Sequence, residues 1–176
     1  MPQPRFHRVA LGGTFDHIHR GHRQLLAKAF AVAKDVVIGL ATSSLVKKEG
    51  KKGVKSYSAR KRQLEEYLNK RYPRRSYTIR PLRRPLGEIG NRRDIDVVVV
   101  SEETFQRAVD ANFVRLENKM KPLAVYVIPM EKAEDMQRIS STRIRAGEVN
   151  EEGRLRKNQN GSLKRRTRSE GPMKSV

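Results

Sequence analysis

Short apolar runs alternate with longer amphipathic segments along the chain. The apolar runs predict five strands, at residues 7–12, 35–41, 76–82, 95–100 and 123–128. Between them, apolar residues recur at helical spacing and predict helices over residues 20–34, 58–70 and 102–119. A shorter helix is expected to open at Ser140 or Ser141 and to fade near Gly147.

Three segments of the pattern need a fuller description. The predicted helix over residues 102–119 carries its apolar residues on one side, namely Phe105, Val109, Phe113 and Leu116. Residues 42–55 are polar, rich in Lys and Gly and without periodicity, and they predict a loop. Residues 83–94 combine Arg, Pro and Gly and predict a loop or a short helical turn.

The best strands are apolar on both faces, which is typical of a parallel sheet covered by helices on both sides. We therefore expect a single Rossmann-like α/β domain over residues 1–153, with a five-stranded parallel sheet. Ligands bind at the carboxyl ends of such strands. Four segments that follow strands should converge on that edge: residues 12–22, 42–55, 101–104 and 129–142.

Composition excludes several kinds of site. Cysteine is absent, so disulfides, thiolate metal sites and cysteine nucleophiles are excluded. There is no run of about 18 apolar residues to predict a membrane span, and no apolar run of the signal-peptide kind follows the N-terminus. We expect a cytoplasmic protein with no membrane partner.

The chain is strongly basic, with 39 Lys and Arg, 19 Asp and Glu and a net charge of +20. Such a charge either attracts any polyanion without specificity or marks a site for phosphorylated ligands. Residues 154–176 hold eight of the basic residues and one acid, and they have low apolar content. We expect this segment to be a disordered basic tail that binds nucleic acid at most nonspecifically.

The first motif with candidate chemistry runs from the first strand into the first helix, and it reads Gly12-Gly13-Thr14-Phe15-Asp16-His17-Ile18-His19-Arg20-Gly21-His22. The glycines let the backbone approach a nucleotide, and a helix N-terminus favours an anion. His19 and His22 are three residues apart, so they face the same side and can donate hydrogen bonds to phosphate oxygens. Thr14 can add a hydroxyl.

Plainer interpretations of these residues exist. Glycines after a strand are often simple turn residues, and a histidine near a helix start is often a surface group. Three histidines within six residues would also suit a metal site, but cysteine is absent and the spacing is not that of a zinc site. We therefore assign no metal-ligating residue. A phosphate loop of the G-x-x-x-x-G-K-[ST] kind is also missing from the sequence.

The second motif is Ile139-Ser140-Ser141-Thr142-Arg143-Ile144-Arg145. Ser and Thr commonly cap helices, but three consecutive hydroxyl residues followed by Arg exceed what a cap requires. Hydroxyls, helix N–H groups and Arg together can bind a triphosphate. We expect Ser140, Ser141, Thr142 and Arg145 to do so.

These motifs resemble those of a known family. His19-Arg20-Gly21-His22 resembles the H-x-G-H signature of the nucleotidyltransferase superfamily, and the preceding Gly-Gly-Thr-Phe-Asp is similar to the G-T-F-D of pantetheine-phosphate adenylyltransferases and cytidylyltransferases. The second motif resembles the I-S-S-T-x-I-R element of adenylyltransferases. One departure is Ser101-Glu102-Glu103-Thr104, which stands where bacterial members carry R-G-L-R and which resembles the archaeal branch.

The resemblance implies a reaction and roles for these residues. ATP and 4′-phosphopantetheine would give dephospho-coenzyme A and pyrophosphate, with Mg²⁺ as cofactor. His22 would stabilise the transition state, His19 would bind ATP, and the second motif would hold the leaving pyrophosphate. Thr14 and either Lys47 or Lys48 would hold the acceptor phosphate or the transferred group. Gly12, Gly13 and Phe15 would complete the nucleotide site.

Two alternatives stay open at this stage. The acceptor could be a different phosphate, as in cytidylyltransferases or nicotinamide-nucleotide adenylyltransferases, although the R-T-E-G-I-S-T string typical of cytidylyltransferases is missing. A basic RNA-binding module would explain the net charge but neither motif. Such a module also normally offers more aromatic residues for stacking than five Phe, five Tyr and no Trp.

Overall fold

The computed structural model describes residues 4–85 and 87–156. Five strands form the sheet: β1 Phe6–Gly13, β2 Ala33–Ala41, β3 Ser76–Leu82, β4 Val97–Ser101 and β5 Ala124–Ile128. Five α-helices follow or connect them: α1 Arg20–Val32, α2 Ser43–Lys48, α3 Tyr57–Arg71, α4 Phe105–Glu117 and α5 Ser141–Arg145. A single 3₁₀ turn, Glu102–Thr104, precedes α4.

All neighbouring strands pair in parallel, in the order β3-β2-β1-β4-β5. The predicted α/β class and five-stranded parallel sheet are therefore confirmed. The chain crosses from one side of β1 to the other between β3 and β4, so β1 and β4 flank the switch point where such sheets bind ligands.

Alternate residues of the central strands divide the core into two layers. Val9, Val36 and Val97 point to one face, where they pack with residues of α1 and α3 such as Leu26 and Leu64. The opposite face is built from Ala10, Val37 and Val98, which pack with Ala108 of α4. Helices on both faces explain why the strands lack polar alternation in the sequence.

One local prediction was wrong, and the predicted apolar side of α4 faces solvent rather than the sheet. Residues 42–55 were expected to be a loop, but Ser43–Lys48 form α2, which is capped at its start by the Thr42 hydroxyl. In α4, Phe105, Phe113 and Leu116 are 43%, 62% and 57% exposed, whereas Ala108 and Ala111 are buried. The small side chains let α4 lie close to β4, and its larger apolar residues consequently face outward.

Within the described ranges, the helices are all too short or too polar to cross a bilayer. The prediction of a disordered tail over 154–176 falls almost entirely on residues 157–176, which lie outside the described part of the chain.

Candidate active site

A cavity of about 420 Å³ opens at the carboxyl ends of β1, β2 and β4. Both motifs line it, although more than a hundred residues separate them in sequence. From the first motif come Gly12, Gly13, Thr14, His19, Gly21 and His22, and from the second come Ile139, Ser140, Ser141, Thr142 and Arg145. The structure therefore brings together nearly all of the residues that the sequence assigned to one site.

Phe15 is the exception in the first motif. Its side chain is fully buried and packs behind His22, with ring centroids 4.8 Å apart, rather than lining the cavity. Its φ of +48° lies in the left-handed region, which is costly for a bulky residue. A Cβ on Gly13 would approach the Phe15 ring to 3.0 Å, so this glycine makes room for the ring. The Phe15 side chain therefore supports the His22 ring, and a contact between Phe15 and the nucleotide stays a prediction.

His22 is held by one of its ring nitrogens. Nδ1 lies 2.9 Å from the carbonyl oxygen of His17, and because a carbonyl only accepts, Nδ1 carries the proton. Burial lowers the pKa of His22 to about 4, an effect that outweighs the hydrogen bond to His17. A ring that is neutral at pH 7 therefore has no proton on Nε2. His22 can donate from Nε2 to an oxyanion only after it takes up a second proton.

His19 lies beside His22, with the two rings stacked at a centroid distance of 4.0 Å. It is 8% exposed, and burial lowers its pKa to about 2, with smaller contributions from His22 and Arg23. Among the described residues, its Nδ1 atom has no hydrogen-bond partner. A Cβ at Gly21 would lie 3.3 Å from this ring, which accounts for the glycine in H-x-G-H.

His17 belongs to a different part of the surface. Its Nδ1 atom lies 3.3 Å from Glu151 Oε1, and its side chain does not line the cavity. The backbone of His17 nevertheless matters, since its carbonyl orients His22 and its N–H group contacts Ser141 Oγ at 3.4 Å.

The second motif forms the start of α5. Ser140 is the N-cap, and its hydroxyl accepts a hydrogen bond from the N–H group of Arg143 at 3.3 Å. Arg143 turns away from the cavity and pairs with Asp135 and Glu148. Arg145 points the other way and donates to Asp16 of the first motif at 2.6 Å. An ion pair between a buried carboxylate and a partly buried Arg therefore joins the two motifs.

The lysine that reaches the site is Lys51 rather than Lys47 or Lys48. Lys47 and Lys48 are exposed on α2 and are not among the residues that line the cavity, whereas Lys51 Nζ donates to Thr14 Oγ1 at 3.0 Å. Gly50, with φ of +70°, ends α2 in a Schellman motif, in which Lys51 N bonds the Val46 carbonyl. This turn brings Lys51 back toward the cavity.

Arg60 of α3 is a contributor that sequence reasoning missed. Its side chain is fully buried, and it donates to the carbonyl oxygens of Thr14 and Ala41 at 2.7 Å and of Lys55 at 3.0 Å. It thereby ties the carboxyl ends of β1 and β2 together. Burial lowers the pKa of Arg60, against the favourable charge of Asp16. An Arg in a polar helix carries no sequence signal of such a role.

The segment Ser101-Glu102-Glu103-Thr104 lies at the rim of the cavity and holds the neighbouring loop in place. Ser101 and Thr104 share a hydrogen bond from the Ser101 N–H group to Thr104 Oγ1 at 3.2 Å. Glu102 accepts from the Met130 N–H group at 3.0 Å, and Glu103 pairs with Arg138 at 2.7 Å. The two acids therefore fix the segment that precedes the second motif, rather than presenting free carboxylates.

Comparisons with known proteins agree with this geometry. The family described as cytidylyltransferase-like matches residues 10–147. A phosphopantetheine adenylyltransferase from Methanopyrus kandleri is 39% identical over 150 residues, which cover 85% of this chain and 95% of that protein. One from Methanothermobacter thermautotrophicus is 38% identical over 158 residues, covering 90% and 94%.

A solved structure is similar as well. The crystal structure of a protein of unknown function from Archaeoglobus fulgidus superimposes with a TM-score of 0.63 at 26% identity, over 69% of this chain and 88% of that one.

Proposed function

The chain belongs to the cytidylyltransferase-like family and, within it, to the archaeal phosphopantetheine adenylyltransferases, and from this premise we propose that it transfers the adenylyl group of ATP to 4′-phosphopantetheine. The products are dephospho-coenzyme A and pyrophosphate. The observation that carries the proposal is the convergence of both motifs on one cavity, joined by the ion pair between Arg145 and Asp16.

The cavity has regions that suit the different parts of the two substrates. His19, Ser141 and Thr142 offer polar groups that suit a triphosphate, and Thr14 and Lys51 offer a hydroxyl and a cation for an acceptor phosphate. The cavity continues between β4 and α4, where Val37, Ile95, Val98 and Ala108 are among its lining residues. An uncharged, flexible arm such as that of pantetheine suits this apolar part.

The reaction is a single displacement at the α-phosphorus of ATP. An oxygen of the acceptor phosphate forms a new P–O bond, the bond between the α-phosphorus and the bridging oxygen breaks, and pyrophosphate leaves with that electron pair. No covalent enzyme intermediate is required, so the protein contributes positioning and charge stabilisation. Thr14 and Lys51 hold the nucleophilic phosphate, and Ser141, Thr142 and Arg145 hold the leaving group.

His22 acts on the transferred phosphoryl group. Bound phosphate oxygens bring negative charge next to a ring whose pKa burial has lowered to about 4, and this charge raises the pKa again. The ring then takes up a proton at Nε2, while Nδ1 keeps its hydrogen bond to the His17 carbonyl. The protonated ring donates to an oxygen on which charge increases in the transition state.

Mg²⁺ fits this site as part of the nucleotide rather than as a resident ion. No cluster of three metal-ligating side chains occurs in residues 4–85 and 87–156. The buried carboxylate of Asp16 is already used, because Oδ1 accepts from the Lys55 N–H group and Oδ2 from Arg145. The triphosphate itself would hold the ion and its waters, as is common for Mg²⁺, and the ion would offset the charge of the phosphates.

An acceptor panel tests the proposal. Purified protein is incubated with ATP or CTP and with 4′-phosphopantetheine, glycerol phosphate, phosphocholine or nicotinamide mononucleotide, and pyrophosphate release is measured. ATP with 4′-phosphopantetheine should be much the fastest pair, and His22→Ala provides the background rate. A preference for CTP, or for another acceptor, would reject the specific substrates. A protein that releases no pyrophosphate with any pair but binds RNA tightly would reject the enzyme assignment.

A further inference from the structure

The acceptor side of the cavity contains an acid for which adenylyl transfer has no evident need. Glu49 lines the cavity, and its side chain is 18% exposed. One of its carboxylate oxygens accepts from Lys51 Nζ at 2.7 Å, and the other accepts from Arg107 Nη2 of α4 at 3.2 Å. Lys51 Nζ contacts Thr14 Oγ1 at the same time.

Without Lys51 and Arg107, the position of Glu49 would be unfavourable for a carboxylate. Glu49 is the C-cap residue of α2, where the free carbonyl groups make the helix end partly negative. Burial by itself would raise the pKa of Glu49. The hydrogen bond from Lys51 and the charges of Lys51 and Arg107 outweigh burial and hold this pKa below its ordinary value. The carboxylate is therefore ionised and held by the cations.

The groups around Glu49 are those that a phosphate needs. Lys51 and Arg107 supply two cationic donors from different elements, and the Thr14 hydroxyl lies within 3.0 Å of Lys51. A carboxylate brings one charge and two oxygens to them. A phosphate monoester brings about 1.5 to 2 charges and three terminal oxygens, so it can satisfy both cations and the hydroxyl together.

We propose that Glu49 is a specificity-determining residue, whose carboxylate occupies in the free protein the place that the acceptor phosphate takes in the complex. The identity of the acceptor rests on the proposed function, but the competition between Glu49 and an anion does not. Displacing Glu49 costs its contacts with Lys51 and Arg107. A doubly charged phosphate more than replaces these contacts, whereas an uncharged or singly charged acceptor group does not. Arg107 is then the second cation of the phosphate site.

The test removes the charge of Glu49 and measures anion binding directly. Inorganic phosphate is titrated into Glu49→Gln and wild-type protein by calorimetry at fixed ionic strength. A saturating α,β-methylene analogue of ATP is present, so that the triphosphate end is filled. The variant should bind phosphate about tenfold more tightly, because the internal competitor is gone. The KM for 4′-phosphopantetheine should fall by a similar factor, while the KM for ATP should change less than twofold.

A matched control separates local competition from net charge. Glu65→Gln makes the same charge change in the exposed Lys61–Glu65 pair on α3, outside the cavity, and should leave phosphate binding unchanged. Glu49→Asp is one methylene too short to contact both cations and should shift binding in the same direction by a smaller factor. It serves as the decisive variant if Glu49→Gln does not fold.

Weaker or unchanged phosphate binding in the Glu49 variants would overturn the proposal, since Glu49 would then merely hold Lys51 in place. The role of Glu49 and the identity of the acceptor can be rejected independently of each other. Tighter phosphate binding in Glu49→Gln without turnover of 4′-phosphopantetheine by the wild type would reject the substrate and keep the competition. Normal turnover of 4′-phosphopantetheine by the wild type, with no gain in phosphate affinity in Glu49→Gln, would keep the substrate and reject the competition.

Discussion

The two sides of the cleft differ in how their side chains are charged before phosphate binds. On the imidazole side, formed by His19 and His22, burial lowers both pKa values and the rings are neutral at pH 7. On the cationic side, formed by Lys51 and Arg107, the carboxylate of Glu49 pairs with both side chains. Lys51 and Arg107 are 41% and 42% exposed, so water and the Glu49 carboxylate together stabilise their charges, whereas burial favours the uncharged form of the two imidazoles. Ligand binding should therefore add protons on one side and displace a carboxylate on the other.

Removing His22 should have the largest effect. Loss of one donor to a developing oxyanion typically reduces turnover about a hundred- to a thousandfold, and we expect this for His22→Ala with little change in ATP affinity. His19→Ala should be intermediate, with part of its effect on ATP binding. His17→Ala is the control, because its side chain lies outside the cavity. Steady-state kinetics with ATP titrations would compare the three, and wild-type turnover in His22→Ala would refute the role.

Removing Lys51 should affect the acceptor more than the nucleotide. Lys51→Met deletes a charge-assisted donor, and such bonds correspond to roughly a ten- to hundredfold change in affinity. We expect the KM for the acceptor to rise by that factor. Lys47→Met and Lys48→Met remove the same charge from exposed positions and should change this KM less than twofold. If one of those two variants has the large effect instead, the sequence prediction was right and the assignment to Lys51 is wrong.

The imidazole side should also make stability depend on pH. The unfolded chain takes up protons on His19 and His22 near pH 6.5, whereas the folded pKa values are about 2 and about 4. The stabilisation by these neutral rings is thus present above pH 6.5 and is lost as the pH falls toward 4. Between pH 7 and pH 5 this loss is roughly 2 kcal/mol for each histidine, so Tm should fall by roughly 10 °C.

Thermal unfolding of the double variant His19→Asn/His22→Asn provides the comparison for this pH effect. Its Tm should vary distinctly less over the same interval, in which most carboxylates stay ionised. An equally steep profile in the variant would assign the pH dependence to other groups.

The smallest effect is expected from deleting residues 157–176. They lie outside the described part of the chain and hold six of the 39 Lys and Arg and one of the 19 acids, a net charge of +5. If the cleft cations alone serve the reaction, turnover and both KM values should stay within about twofold. Nonspecific nucleic-acid binding should weaken, and its salt dependence should flatten. A large fall in turnover or in Tm would show that the segment contributes to the fold or the site.

Periodicity and motif spacing were sufficient to predict the fold and to predict that the two motifs lie close together. Buried parallel strands carry a strong apolar signal, and β3 was placed at residues 76–82, as in the structure. The H-x-G-H and I-S-S-T-x-I-R strings lie at a strand end and a helix start, so topology alone brings them to one edge.

The sequence did not indicate several interactions between distant residues. Lys51 reaches Thr14 because Gly50 reverses the chain after α2. The string Lys-Glu-Gly could have signalled that helix end, but not which lysine it would redirect. Arg107 and Glu49 are 58 residues apart, and their pairing depends on where the fold places α4 relative to the end of α2. The exposed face of α4 likewise depends on the choice of Ala108 and Ala111 as contacts with the sheet.

Arg60 limits which mutations this protein can tolerate. Its guanidinium satisfies three carbonyl oxygens that belong to different segments of the chain. A single substitution leaves several of these acceptors without a partner, and a lysine cannot reproduce the planar fork. Replacement of Arg60 should therefore be tolerated only together with compensating changes near Thr14, Ala41 or Lys55. Epistasis of this kind would restrict the position among related sequences even though its side chain makes no contact with the cavity.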